Sequence, residues 1–143
     1  MKKHIKLVAL ILVMTILFAV PAQAQGLEPR ASSYFMSSNV YLNKTSTYNF
    51  EAWFRVSAND IMDEVGASSI AIQRSSDGEN WTTMGTFSKA TYPQFIDRNT
   101  SVHAACLLYT GTPGYYYRAK ITLYAKDSSG TGEMVRYTSK MLL

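Results

Sequence analysis

Apolar and polar residues alternate most regularly between Pro113 and Lys126. Tyr117, Ala119, Ile121, Leu123 and Ala125 fall on one side of an extended chain, and Tyr116, Arg118, Lys120, Thr122, Tyr124 and Lys126 on the other. Successive side chains of a strand point to opposite sides, so the pattern predicts a central strand with one dry and one wet face. A second strong alternation runs from Thr47 to Ser57. It sets Tyr48, Phe50, Ala52, Phe54 and Val56, expected to bury, against Asn49, Glu51, Trp53 and Arg55. Weaker strand signals cover Tyr34 to Leu42, Ser68 to Arg74 with Ile70 and Ile72 inward, Trp81 to Phe87, Ser101 to Tyr109, and Glu133 to Met141 with Val135 and Tyr137 on one face.

Turn chemistry punctuates these segments. Asn43 to Ser46, the Asp77-Gly78 pair within Ser75 to Asn80, Gly111 to Gly114, and the Ser/Gly-rich Asp127 to Gly132 all read as tight connections. Ser88 to Thr100 reads as a loop around Pro93 with room for a short edge strand. Asn59 to Gly66 breaks the strand pattern. Asp60 can cap the amide of Asp63, acids suit a first helical turn, and Gly66 can end it, which predicts one short helical turn pinned by Ile61, Met62 and Val65. About seven short strands with frequent turns predict an all-β chain folded as a two-sheet antiparallel sandwich.

Composition changes the picture at the N-terminus. Lys2, Lys3 and Lys6 precede an apolar run from Leu7 to Val20, followed by Pro21 and Ala22-Gln23-Ala24. A basic head, a short apolar run and a small-x-small site predict a secretory signal peptide over residues 1–24, cleaved after Ala24. The apolar run falls short of the roughly 20 residues that span a bilayer. Residues 25–33 are polar with Pro29 and form an expected flexible lead-in, leaving 34–143 as the folded domain. Removal of 24 of the 143 residues leaves 119, enough for one ordinary core. Three of the 14 basic residues leave with the signal, so 11 face 10 acids. That near-neutral balance gives no reason to expect nucleic acid or stable membrane insertion. The expected location is secreted, extracellular.

Two segments resemble fibronectin type III and immunoglobulin-like domains. Ile70 to Trp81, an alternating strand running into Arg74-Ser75-Ser76-Asp77-Gly78 and then Trp81, is similar to the hairpin between the third strand and its edge partner. Pro113-Gly114-Tyr115-Tyr116-Tyr117 and the strand after it resemble the corner before the sixth strand. The resemblance implies an immunoglobulin-like sandwich in which Tyr117 is the corner tyrosine, its hydroxyl bonded to upstream backbone. The helical turn expected over Asn59 to Gly66 departs from the strict type III pattern. The chain also resembles small secreted Gram-positive bacterial proteins of unassigned function through Met62-Asp63-Glu64-Val65-Gly66, the Asp-Gly hairpin and the late Gly-x-x-Tyr strand; that likeness implies no activity.

Candidate chemistry is sparse. His103, the one histidine after the signal, could join Ser101 and Asp97 in a triad, but no nucleophile elbow surrounds a serine, and a half-exposed strand histidine is the simpler reading. Cys106 is the single cysteine. It shares a predicted face with Val102, Ala104 and Leu108, and reads as a core residue rather than an intermolecular bridge. Asn59, Asp60, Asp63 and Glu64 lack the spacing of a calcium loop and read as helix-end residues. No catalytic residue, metal site or cofactor is therefore expected. Ten tyrosines and two tryptophans remain. The core takes Tyr48, Tyr117 and Tyr137, which leaves Trp53, Tyr116 and Tyr124 outward beside Arg118 and Lys120. This set is the candidate ligand-binding surface, because outward aromatics can stack on sugar rings or anchor a protein. Loops at one end of the sandwich (Asn43 to Ser46, Asn59 to Gly66, Ser88 to Thr100, Asp127 to Gly132) are the alternative location. The expected function is a secreted, non-catalytic extracellular binding module for cell-wall glycan or another carbohydrate, or for a protein surface. The alternatives are an antimicrobial or toxin-like effector acting on a neighbour's envelope, and a small hydrolase.

Overall fold

β-branched and aromatic residues at every second position favour extended chain, and an apolar face on each strand must find a partner layer. The computed structural model describes residues 31–143, with side chains from Ser33 onward. The predicted signal peptide and most of the lead-in lie outside the described residues. A helical turn, α1 (Ala31–Tyr34), leads into β1 (Phe35–Lys44), β2 (Asn49–Met62), β3 (Glu64–Ser75) and β4 (Thr82–Ser88). A 3-10 turn at Pro93–Phe95 and the short β5 (Ile96–Asp97) follow. Then come β6 (Thr100–Thr110), β7 (Tyr116–Asp127), β8 (Gly130–Tyr137) and β9 (Met141–Leu142).

The strands form two antiparallel sheets that pack as a sandwich. One has the order β1-β2-β6. The other has the order β4-β3-β7-β8, with β5 sharing an edge of β3 and β9 sharing an edge of β7. Phe50, Phe54 and Val56 from the first sheet meet Ile70, Ile72, Tyr117, Ile121 and Leu123 from the second, all fully buried. Each such side chain contributes about 1.5–3 kcal/mol by leaving water. A bulge at Ser68, between the pairs Ala67–Leu123 and Ser69–Thr122, keeps Val65 and Ala67 inward on one side of it and Ile70 and Ile72 inward on the other. An extra residue in one strand restores the phase that a strict alternation would lose.

Tyr117 is the first inward side chain of β7. Its ring is buried against Phe50, with centroids 5.0 Å apart, and its hydroxyl accepts from the Thr112 backbone N–H at 2.8 Å. The tether joins the β6–β7 connection to the core and satisfies a buried polar atom at the same time.

Four expectations are corrected. No helical turn forms over Asn59 to Gly66: β2 continues to Met62 and β3 starts at Glu64. Met62 and Val65 are buried as expected, but Ile61 is 68 % exposed. Pairing of Met62 with Thr100, and of Gly66 with Ile96, overrides the local helix-end chemistry. The phase of β6 is one residue off the expected one. His103, Ala105, Leu107 and Tyr109 oppose inward Val56, Phe54, Ala52 and Phe50, while Val102, Ala104, Cys106 and Leu108 face outward. Tyr48 is 58 % exposed and Tyr137 50 % exposed, so of the three tyrosines assigned to the core only Tyr117 is there. On β8 it is Met134, not Val135, that packs against the core.

Candidate functional site

The outer face of β7 is held between β3 on one side and β8 and β9 on the other. Arg118 is aligned with Gln73 of β3, which is aligned in turn with Thr83 of β4. The Arg118 Nε–H donates to Gln73 Oε1 at 2.7 Å, and Gln73 Nε2 donates to Thr83 Oγ1 at 3.3 Å. Two rings flank the guanidinium. Its central carbon lies 4.3 Å from the Trp81 centroid and 4.9 Å from that of Tyr137. A cation over an aromatic face gains about 0.5–1 kcal/mol when exposed and more when desolvated. Arg118 is half-buried, so the cluster fixes a long side chain that would otherwise roam.

Trp81 is aimed by the turn before it. Ser75 Oγ accepts from the Asp77 and Gly78 amides at 3.2 and 2.8 Å and donates to Asp77 Oδ1 at 2.7 Å. Asp77 Oδ1 accepts from the Glu79 and Asn80 amides, both at 2.8 Å, and Oδ2 accepts from Asn80 Nδ2 at 2.6 Å. Gly78, at φ +76°, supplies the left-handed step. The Asn80 amide above all, then the Ser75 hydroxyl, the Asn80 side chain and the Glu79 amide, hold the Asp77 carboxyl well below the usual carboxylate range. Asp127 in the β7–β8 turn is lowered in the same way, chiefly by the Ser129 hydroxyl and amide. Both groups favour the ionised form when folded. Their contribution to stability is therefore complete above the unfolded carboxyl value of about 3.9 and is lost as pH falls through the lower folded values. Urea midpoints measured from neutral pH down to about pH 2 should decline for the native chain, and less steeply for Asp77→Ala combined with Asp127→Ala. An unchanged acid slope would show that other groups control acid unfolding.

The predicted site residues divide. Arg118 and Lys120 lie on this face, both half-buried. Tyr116 is beside them, with Lys140 Nζ 5.4 Å from its ring centroid and 3.3 Å from the Gly78 carbonyl. Tyr124 shares the face but is only 9 % exposed. Lys89 Nζ sits 3.4 Å from its ring centroid and is paired with Glu64 at 3.3 Å, and Glu64 also binds Arg98 at 3.2 Å. That ion-paired cover removes Tyr124 from the accessible surface. Trp53 is on the opposite outer face, in the other sheet. It lies nearly parallel to Tyr41 at 6.2 Å, with its indole N–H donating to Glu51 Oε2 at 2.8 Å. Gln73, Trp81 and Tyr137 complete the cluster around Arg118, and sequence reasoning did not assign them to it. The Trp following an Asp-Gly turn was the available signal for Trp81.

The other candidates are accounted for by local contacts. His103 packs edge-on against Phe54; its Nε2 is 2.9 Å from the Gln94 carbonyl and its Nδ1 3.8 Å from Asp97. The position a triad serine would occupy is thus taken by a backbone oxygen. Cys106 is half-buried opposite Trp53 rather than in the core, and burial, then Glu51, pushes its thiol up, away from the reactive thiolate. Asn59 binds the Ser33 carbonyl, Asp60 the Ile61 amide and Glu64 its two cations. Among the described residues no three His, Cys, Asp or Glu side chains come together to hold a metal.

No family model matches the chain, and no curated protein sequence matches it. The solved structures that resemble it include two at 10 % identity each. One is the solution structure of a protein described as late embryogenesis abundant, aligned over 75 % of this chain and 71 % of its own with a TM-score of 0.47. The other is the sporulation control protein Spo0M from Bacillus subtilis, aligned over 72 % of this chain and 48 % of its own with a TM-score of 0.42.

Proposed function

We propose that the domain is an immunoglobulin-like binding module that acts outside the cell, catalyses nothing and takes a glycan on the outer face of its larger sheet. The leader of basic, apolar and small residues supports export. The sheet membership and the Tyr117 corner support the immunoglobulin-like reading. The observation that carries the binding reading is the Arg118 cluster: Trp81 and Tyr137 stand beside a fixed guanidinium, with the Gln73 amide and Lys120 alongside. Sugars present apolar ring faces and a rim of hydroxyls, which such a mixture of aromatic and hydrogen-bonding groups can match. Cross-strand packing alone would explain a tyrosine or tryptophan on a sheet surface. It does not explain why β3, the turn before β4 and β8 each supply a group that immobilises one arginine.

The test is co-sedimentation of the purified protein with insoluble cell-wall glycan, comparing Trp81→Ala with Tyr41→Ser on the opposite face. The native chain should pellet with the glycan. Trp81→Ala should weaken retention about tenfold, the equivalent of about 1.4 kcal/mol, while Tyr41→Ser retains it. Absence of binding to every wall fraction, or equal behaviour of the two variants, would overturn the reading.

A further inference from the structure

We infer that Arg118 is an oxyanion subsite, so that the glycan taken by this face is an anionic one, recognised through a carboxylate or phosphate. The inference rests on the proposed glycan-binding face and narrows its ligand. Both rings direct a face to the guanidinium, and its Nε is held by Gln73, which Thr83 holds in turn. What the cluster offers outward is therefore less an open ring for a neutral sugar than the two terminal nitrogens of a planar fork. Among the described residues these nitrogens have no hydrogen-bond or ion-pair partner. A planar fork donates two parallel bonds to a carboxylate or phosphate, and such bonds are about twice as strong as neutral ones.

The charge around Arg118 points the same way. Lys120 follows on the same face, and Lys140 stands over Tyr116. Neither is paired with a carboxylate among the described residues. Of the acids near these elements, Asp77 is held by its own turn, while Glu79 before Trp81 and Glu133 on β8 are exposed and form no ion pair with Arg118, Lys120 or Lys140 among the described residues. Since the chain after the leader is nearly neutral, this cationic face is a local feature and not a by-product of overall charge.

The experiment is affinity titration of the purified protein with three soluble polymers: polygalacturonate for the carboxylate, phosphomannan for the phosphate, and neutral galactan. Native protein should bind at least one anionic polymer about tenfold or more tighter than galactan, with the preference shrinking as salt is raised. Arg118→Lys keeps the charge but loses the fork, and should abolish most of that preference while leaving the thermal midpoint near its native value. Should Arg118→Lys fail to fold, Gln73→Ala, which frees Nε and loosens the fork, should reduce the same preference about threefold. Equal affinity for all three polymers would overturn the inference and leave the glycan reading standing. Binding to none would overturn both. An anionic preference unchanged by the variants would remove Arg118 from the subsite.

Discussion

Replacing Gly66 with alanine should destabilise the domain by roughly 4 kcal/mol or more, the range reserved for core disruption. Gly66 lies in β3 at φ +153°, a conformation that L side chains rarely adopt. A β-carbon there would stand 1.9 Å from the Phe95 carbonyl oxygen and 2.9 Å from its carbon. Both obstructing atoms are backbone, so no rotamer change relieves the overlap. Either β3 gives up its pairing with Ile96 and Tyr124, or the 3-10 turn moves away and takes Phe95 out of the core. Chemical denaturation of Gly66→Ala against the native chain gives the answer directly. A loss below about 1 kcal/mol would mean that the turn shifts freely and that the contact is incidental.

Truncation of Phe95 to alanine should cost about 3–5 kcal/mol, as for other large aromatic deletions in a core. Its ring is fully buried, edge-on to Phe54 at 6.2 Å and stacked on Tyr92 at 5.2 Å. The Pro93–Phe95 turn carries it inward: the Phe95 amide bonds to the Tyr92 carbonyl, and Ile96 N–H to that of Pro93. This connection has the composition of a surface loop but lies against β3 and β6 and carries a core ring. The two substitutions should be less than additive, because a turn already released by Phe95→Ala can yield to the extra methyl. Urea midpoints of the single and double variants test this. Full additivity would show that the Phe95 side chain does not hold the turn in place.

Much of this architecture was legible because strand periodicity is a local property. The inward face of β7 and the Phe50-Ala52-Phe54-Val56 face of β2 follow directly from alternation, as does the Asp77-Gly78 hairpin from its turn residues. The phase of β6 did not, because Ala104, Ala105 and Cys106 are all small and Leu107 and Leu108 both apolar. Only pairing with β2 decides which of them turns inward. The segment from Asn59 to Gly66 misled for a related reason. Its acids and glycine suit a helix end, but the glycine serves a backbone approach made by a residue far along the chain. For the candidate site, alternation correctly turned Arg118 and Lys120 outward. It could not show that Trp53 belongs to the other sheet, that Lys89 and Glu64 cover Tyr124, or that Trp81 and Tyr137 meet at Arg118. Those facts depend on which strands pair.

The placement of Arg118 has a consequence for the kinetics of assembly. Trp81 arrives from the β3–β4 hairpin, Arg118 from β7 and Tyr137 from β8, and β3 meets β7 through contacts such as Ser68 with Thr122, 54 positions apart. Closing such long loops is slow, and topologies of this kind fold on millisecond-to-second timescales. Neither hairpin alone carries the complete cluster, so the arginine is gripped only after β3 and β7 of the larger sheet have paired. A ligand of this face would then bind native molecules and ignore partly folded ones. It would draw the population toward the finished fold by mass action, and Trp81 fluorescence would report the last step of folding rather than the first.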